Sequence, residues 1–302
     1  MPETKKHAGR AAEPAEAGTA APRSQEDIQR QYDLLDEAVR CNELTVRDDQ
    51  YDFSLLLDAV RRSAQKGGRF RLIDSGALEL PQLEWLLDAG ADFYTSDDIK
   101  RDVRELELLS LICRRSRARL ACFIHRLEPE KPPECSETEE EEEETPVETP
   151  DYHGLALTGA YLYFSNRNRE WDFSELVRLA ESCRSGGARL VYYHRGEFPP
   201  EGSGLAEAGA WIHINQAALN EESRIVLADC AAAAHKNGGG LIIHLQKKPD
   251  VLVLEDVFRA GGYVRFEYKH IDFRSPLKPF ERAAEKQRFS PYAYYLHPDF
   301  LY

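Results

Sequence analysis

The sequence predicts an α/β protein made of repeated strand–helix units. Two observations carry this. Short apolar runs rich in aromatic and β-branched residues alternate with segments of helical periodicity. The same signposts also return in one order about halfway along the chain. Tyr51-Asp52-Phe53-Ser54 recurs as Trp171-Asp172-Phe173-Ser174, an offset of 120. Gly67-Gly68 recurs as Gly186-Gly187, Gly76 as Gly196, and Ala89-Gly90-Ala91 as Ala208-Gly209-Ala210, each at 119 or 120. His125 and His244 each close an apolar run, again 119 apart.

The elements follow in order. In the first half the expected strands are Glu43–Arg47, Phe70–Asp74, Asp92–Thr95 and Arg119–His125. In the second half they are Ala160–Ser165, Arg189–His194, Trp211–Asn215 and Gly240–Gln246. Near-continuous apolar runs of this kind fit strands covered on both faces of a parallel sheet. Between them, Leu55, Leu56, Ala59 and Val60 fall on one helical face that ends at Gly67, and Leu176, Val177, Leu179 and Ala180 do the same before Gly187. Asp172 followed by Glu175 fits a capping box, and Asp52 is placed to cap its own helix. Tyr51 and Trp171 then stand where a hydrophobic staple would. Helices are also expected over Pro81–Ala89 and Leu254–Ala260.

Eight alternating strands in two sets of four resemble a (β/α)8-like barrel assembled from two half-barrels, over about Glu43 to Ala260. A ninth strand-like run, Tyr263–Tyr268, does not fit an eight-stranded ring, and the acidic stretch lies where a fourth helix belongs. An open doubly wound parallel sheet, or two packed α/β lobes, is the alternative. The organisation expected is an N-terminal arm without structure over 1–30, a first α/β half over 31–127, an acidic linker over 128–151, a second half over 152–270, and an extension over 271–302.

The net charge of −14 is concentrated in that linker. From Glu128 to Asp151 there are twelve acidic residues and one Lys, so the remainder carries only −3. A basic nucleic-acid footprint is excluded. No run of about 18 apolar residues exists, which argues against a membrane span, and Met1–Arg30 has no apolar signal core. Six cysteines without a C-x-x-C pair read as reduced, small hydrophobes in a cytoplasmic protein. The glutamate run Glu139–Glu144 reads as a solvated spacer, or else as a lure for a basic protein partner. The aromatic tail from Phe289 to Tyr302 reads as docking on its own fold, or else as a partner anchor.

Dinucleotide, P-loop, zinc-protease, nucleophile-elbow and kinase motifs are all missing from the sequence. The site must therefore come from position. Parallel α/β folds bind ligands at the carboxyl ends of their strands, and the residues that fall there are polar. Asp74, His125, His194 and His244 are the candidates for proton transfer or catalysis. Arg126, Arg195, Lys247 and Asn215 are the candidates for holding a phosphate- or carboxylate-bearing small ligand. The three histidines with Asp74 also have zinc-ligand chemistry, but no close-spaced pair supports a metal, and no cofactor is named by the sequence. His213, inside its strand, reads as a satisfied core histidine, and His235 as one favoured by a helix end. The competing function is a non-catalytic scaffold working through the linker and the tail.

Overall fold

The computed structural model describes residues 25–100, 102–125, 151–167, 169–220, 223–248, 251–266 and 268–286. The acidic run, Arg126 and the aromatic tail lie outside these residues. Among the described residues nine strands form one parallel sheet: β1 (Glu43–Arg47), β2 (Arg69–Ile73), β3 (Asp92–Ser96), β4 (Leu120–Phe123), β5 (Tyr161–Ser165), β6 (Leu190–His194), β7 (Trp211–Asn215), β8 (Gly240–His244) and β9 (Tyr263–Arg265). Each strand pairs with the next in sequence. A doubly wound sheet requires the strand order to reverse, and two lobes require two sheets, so neither alternative holds.

Ten helices are described: α1 (Gln25–Arg40), α2 (Phe53–Lys66), α3 (Leu80–Asp88), α4 (Val103–Ser116), α5 (Tyr152–Thr158), α6 (Phe173–Gly186), α7 (Ser203–Glu207), α8 (Ser223–Lys236), α9 (Val251–Arg259) and α10 (Arg274–Lys286). Each packs on the one before and the one after. Parallel neighbours joined by right-handed crossovers put every helix on the same face, and the result is a barrel-like (β/α) wall.

The alternation of strand side chains divides the apolar residues into two layers. Phe70, Leu72, Phe93, Leu120, Cys122, Leu162, Phe164, Leu190, Ile212 and Leu241 meet the helices in the larger core. Tyr94, Ala121, Phe123, Tyr163, Val191 and Tyr193 form a separate cluster on the inner face, with Tyr161 and Trp211 against it.

The ninth strand is present and pairs with β8. Among the described residues no ladder joins β1 to β8 or β9. The inner-facing residues of β1, Glu43, Thr45 and Arg47, are exposed. Closing a ring over that glutamate and arginine would strip water from both charges. They lie instead on the edge strand of the sheet, where Glu43 pairs with Arg71 at 3.2 Å and Arg47 with Asp49 at 2.8 Å.

Several local expectations are corrected. The missing fourth helix is α5, a short helix immediately after the acidic run that packs on α4 and α6. Helix α1 begins at Gln25, inside the stretch expected to lack structure, and Leu34, Leu35 and Ala38 bury its inner face. Asp172 caps α6 through the Ser174 N–H and hydroxyl, but Glu175 turns away to His153 and Arg178, so no capping box forms there. The box is formed by Glu79 and Gln82 at α3. Asp52 makes no N-cap bond with its side chain, and its N–H is held by Gln31 Oε1 at 3.0 Å.

Candidate functional site

At the carboxyl ends of the odd-numbered strands one device recurs. The residue just past the strand reaches sideways and accepts backbone N–H groups from the loop after the next strand. Asp48 Oδ1 takes the Ser75 N–H at 2.9 Å, and Asn166 Oδ1 takes that of Arg195 at 2.7 Å. Both Asp97 oxygens take the His125 N–H at 3.0 Å. Gln216 Oε1 takes the N–H groups of Gln246 and Lys247, each at 3.0 Å. These bonds fix the loops, because a buried acceptor left without a donor costs about 1–3 kcal/mol.

Over β2–β5 the fixed loops surround a cavity of about 720 Å³. Its lining includes inner-face rings of Tyr94, Phe123 and Tyr163, with Ile73 and Ile99. The Phe123 and Tyr163 centroids are 4.6 Å apart. Burial raises the pKa of both tyrosines, and the inner-face arginines Arg71 and Arg119 pull the other way, so both hydroxyls stay neutral. The polar lining is Asp74, Thr95, Ser96, Asp98, His125, Ser165, Arg167 and Arg169.

These charges are not equally free. Asp74 is 3 % exposed. Its oxygens accept from Thr95 Oγ1 at 2.7 Å and the Gly76 N–H at 2.9 Å, with Lys100 Nζ at 3.9 Å. Burial raises its pKa, and the Thr95 and Gly76 bonds oppose that. It shapes the loop after β2. His125 Nδ1 lies 3.1 Å from Asp98 Oδ2 and 3.6 Å from Asp97 Oδ1. A carboxylate beside Nδ1 favours the tautomer that carries its proton on that nitrogen. Asp97, Asp98 and His125 each place a donor atom within 4.8 Å of the others, the trio of His, Cys, Asp or Glu groups among the described residues with the spacing to hold a metal ion. Arg169 lies over the Trp171 ring, 4.7 Å from its centroid. Arg167 has no ion-pair partner among the described residues.

Of the described residues expected at the strand ends, Asp74 and His125 line this cavity, and His194, His244, Arg195, Lys247 and Asn215 do not. His194 is the last residue of β6 and falls on the helix-facing parity. It is buried, Nε2–H donates to Glu197 O at 2.7 Å, the Tyr192 hydroxyl is 3.2 Å from Nδ1, and Phe198 packs edge-on. Burial lowers its pKa, so it is a neutral core residue. His244 faces inward but joins His213, with Nε2 2.8 Å from His213 Nδ1. Asn215 lies on the same inner face, opposite His244 in the ladder. Arg195 and Lys247 are exposed, and their backbones are the ones held by Asn166 and Gln216. The three histidines expected to converge are thus divided between the cavity, the helix layer and the far inner face.

The cavity's most open cations, Arg167 and Arg169, belong to the loop after β5. The sequence signal for Arg167 was its place just past that strand. Nothing marked Tyr94, Phe123 and Tyr163 as lining, because inner-face aromatics read as core.

No family model matches the chain, and no curated protein matches it. Among solved structures, the citrate synthase SbnG is 9 % identical, with 73 % of this chain and 95 % of that one covered and a TM-score of 0.30. A tryptophan synthase complex from Pyrococcus furiosus is 11 % identical, covering 80 % and 95 %, with a TM-score of 0.32. The YdjI aldolase from Escherichia coli K12 is 12 % identical, covering 85 % and 93 %, with a TM-score of 0.29. Likeness this slight adds nothing to what the sheet itself establishes.

Proposed function

We propose that the cavity over β2–β5 binds a small organic anion, a carboxylate or phosphate ester with an apolar body. The observation that carries this is the imbalance of its lining. The acidic groups are engaged, Asp74 by Thr95, Gly76 and Lys100 and Asp98 by His125, while Arg167 carries a guanidinium with no counter-ion among the described residues. Tyr94, Phe123 and Tyr163 offer the apolar body a ring surface. Arg167 and Arg169 take the anionic group, because a guanidinium matches carboxylate and phosphate oxygens two at a time. His125, with Asp98 on Nδ1, is the group at the rim able to give or take a proton.

The parallel roles of Asp48 and Asn166, and of Asp97 and Gln216, support reading β1–β4 and β5–β8 as copies of one unit. Buried free thiols at Cys113, Cys122, Cys183 and Cys230 support a reducing, cytoplasmic setting. Among the described residues no helix is long and apolar enough to cross a membrane.

Titration calorimetry with benzoate, citrate, phenyl phosphate and inorganic phosphate tests the reading. At least one is expected to bind with one-to-one stoichiometry. Arg167→Ala with Arg169→Ala is expected to weaken it about 10- to 100-fold, the loss of charge-assisted bonds. Failure of all four to bind, or binding indifferent to the double substitution, overturns the proposal.

A further inference from the structure

The inner face of β6–β9 holds a second constellation, separate from the cavity. His213 is fully buried, with its ring stacked on Tyr193 at 4.2 Å between centroids. Its Nδ1 faces His244 Nε2 at 2.8 Å. Asn215 lies two residues along β7 on the same face and opposite His244 in the ladder. Its Oδ1 is shut off from solvent and accepts no hydrogen bond among the described residues. Counted back from the loop-capturing residues Asp97 and Gln216, the matching positions of the first half are Tyr94 for His213 and Ser96 for Asn215. Phe123 stands opposite Ser96 as His244 stands opposite Asn215. The same places thus hold an aromatic lining in one half and two imidazoles with an orphan carbonyl in the other. An unpaired buried carbonyl lowers stability, and a ligand that accepts its lone pair removes that cost.

We propose that His213, His244 and Asn215 form a buried site for a late first-row divalent metal ion of the zinc or copper type. Two imidazole nitrogens and a carboxamide oxygen are a donor set for such ions, while magnesium and calcium favour oxygen throughout. Burial holds His244 in the neutral form that binds metal, its pKa pushed down to about 3, with Arg265 adding to the effect. The ion replaces the hydrogen bond between the two rings. Arg265, opposite His244 in the β8–β9 ladder, opposes a bare cation, so the bound ion carries an anionic further ligand such as hydroxide or a carboxylate. His244 is the less buried of the two imidazoles and marks the route of entry.

The test uses the full chain freed of metal by a chelator. Calorimetry with Zn²⁺ and Cu²⁺, with Mg²⁺ as control, is expected to show one equivalent of Zn²⁺ or Cu²⁺ and none of Mg²⁺. Copper is expected to quench tyrosine emission through Tyr193 and to show nitrogen coupling in its spin-resonance spectrum. His244→Gln is expected to abolish the binding, and Asn215→Ala to weaken it about tenfold. Circular dichroism identifies variants that fold. If His213→Gln does not fold, His244→Gln, at the less buried imidazole, carries the test. Absence of stoichiometric binding, or binding that survives His244→Gln, overturns the proposal. So does binding lost in His125→Gln, which would put the ion beside Asp97 and Asp98.

Discussion

The mouth over β2–β5 and the mouth over β6–β9 have the same frame and opposite linings. In each, a side chain just past an odd-numbered strand holds the loop after the next strand. Over the first mouth the inner face is aromatic and leaves a cavity of about 720 Å³. Over the second, the corresponding positions carry His213 and His244, whose rings meet, and Asn215 opposite His244 in the ladder. Frame and lining are therefore separable. The frame uses the residue after the strand, and the lining uses the inward parity within it.

The frame gives the largest expected effect. Asp97→Ala removes a carboxylate that accepts the His125 N–H with both oxygens and the Tyr152 hydroxyl at 3.3 Å. A loss of about 2–4 kcal/mol in urea unfolding is expected, since the orphaned donors sit where water enters poorly. Gln216→Ala removes a neutral acceptor and is expected to cost about 1–2 kcal/mol. Equal costs would show that charge adds nothing to the frame.

The linings differ next in their response to acid. His244 has its pKa lowered from 6.5 to about 3. Between those values the unfolded chain binds a proton that the folded chain refuses, so stability falls as pH drops from 6.5 toward 3 and is unaffected above 6.5. His244→Phe, which installs the residue type of the first mouth, is expected to flatten that decline in chelator-treated protein. An unchanged acid profile would show that His244 is not its source. At the small end, Lys247→Ala is expected to change stability by less than about 0.5 kcal/mol, because the frame holds only its backbone. A larger change would show that the exposed Lys247 side chain contributes to the frame.

Most of the wall was legible because apolar runs mark strands whatever closes around them. All eight strands and the ninth run fall within a few residues of the sequence reading. Helices α1, α5 and α10 were not legible: α1 and α10 are predominantly polar, and α5 is a seven-residue segment. The site was legible only in part. The offset of 119 matched His125 with His244, yet Phe93 pairs with Leu120 while Trp211 pairs with Gly240, so the second crossover is two residues longer. Two glycines, Gly238 and Gly239, lie in that longer connection, just before β8, and a Cβ at Gly239 would stand 2.1 Å from Ala210 O. In register His125 answers to Gln246, and His244 to Phe123. His194 was misplaced for a related reason, since position at a strand end says nothing of parity until the register is known.

The two edge strands, β1 and β9, have a consequence for how such a chain can change. A closed ring must keep its strand number, because every strand lies between two others and the shear must match around the circle. A wall with a free edge is a line, in which each strand answers only to its neighbours, as in stacked repeats. Among the described residues that line carries nine strands, one more than the usual ring, and its Glu43 and Arg47 edge is charged in the way that discourages a second copy from extending it. Length is therefore a free variable of this architecture, adjustable one strand–helix unit at a time from the edge, while both mouths stay as they are.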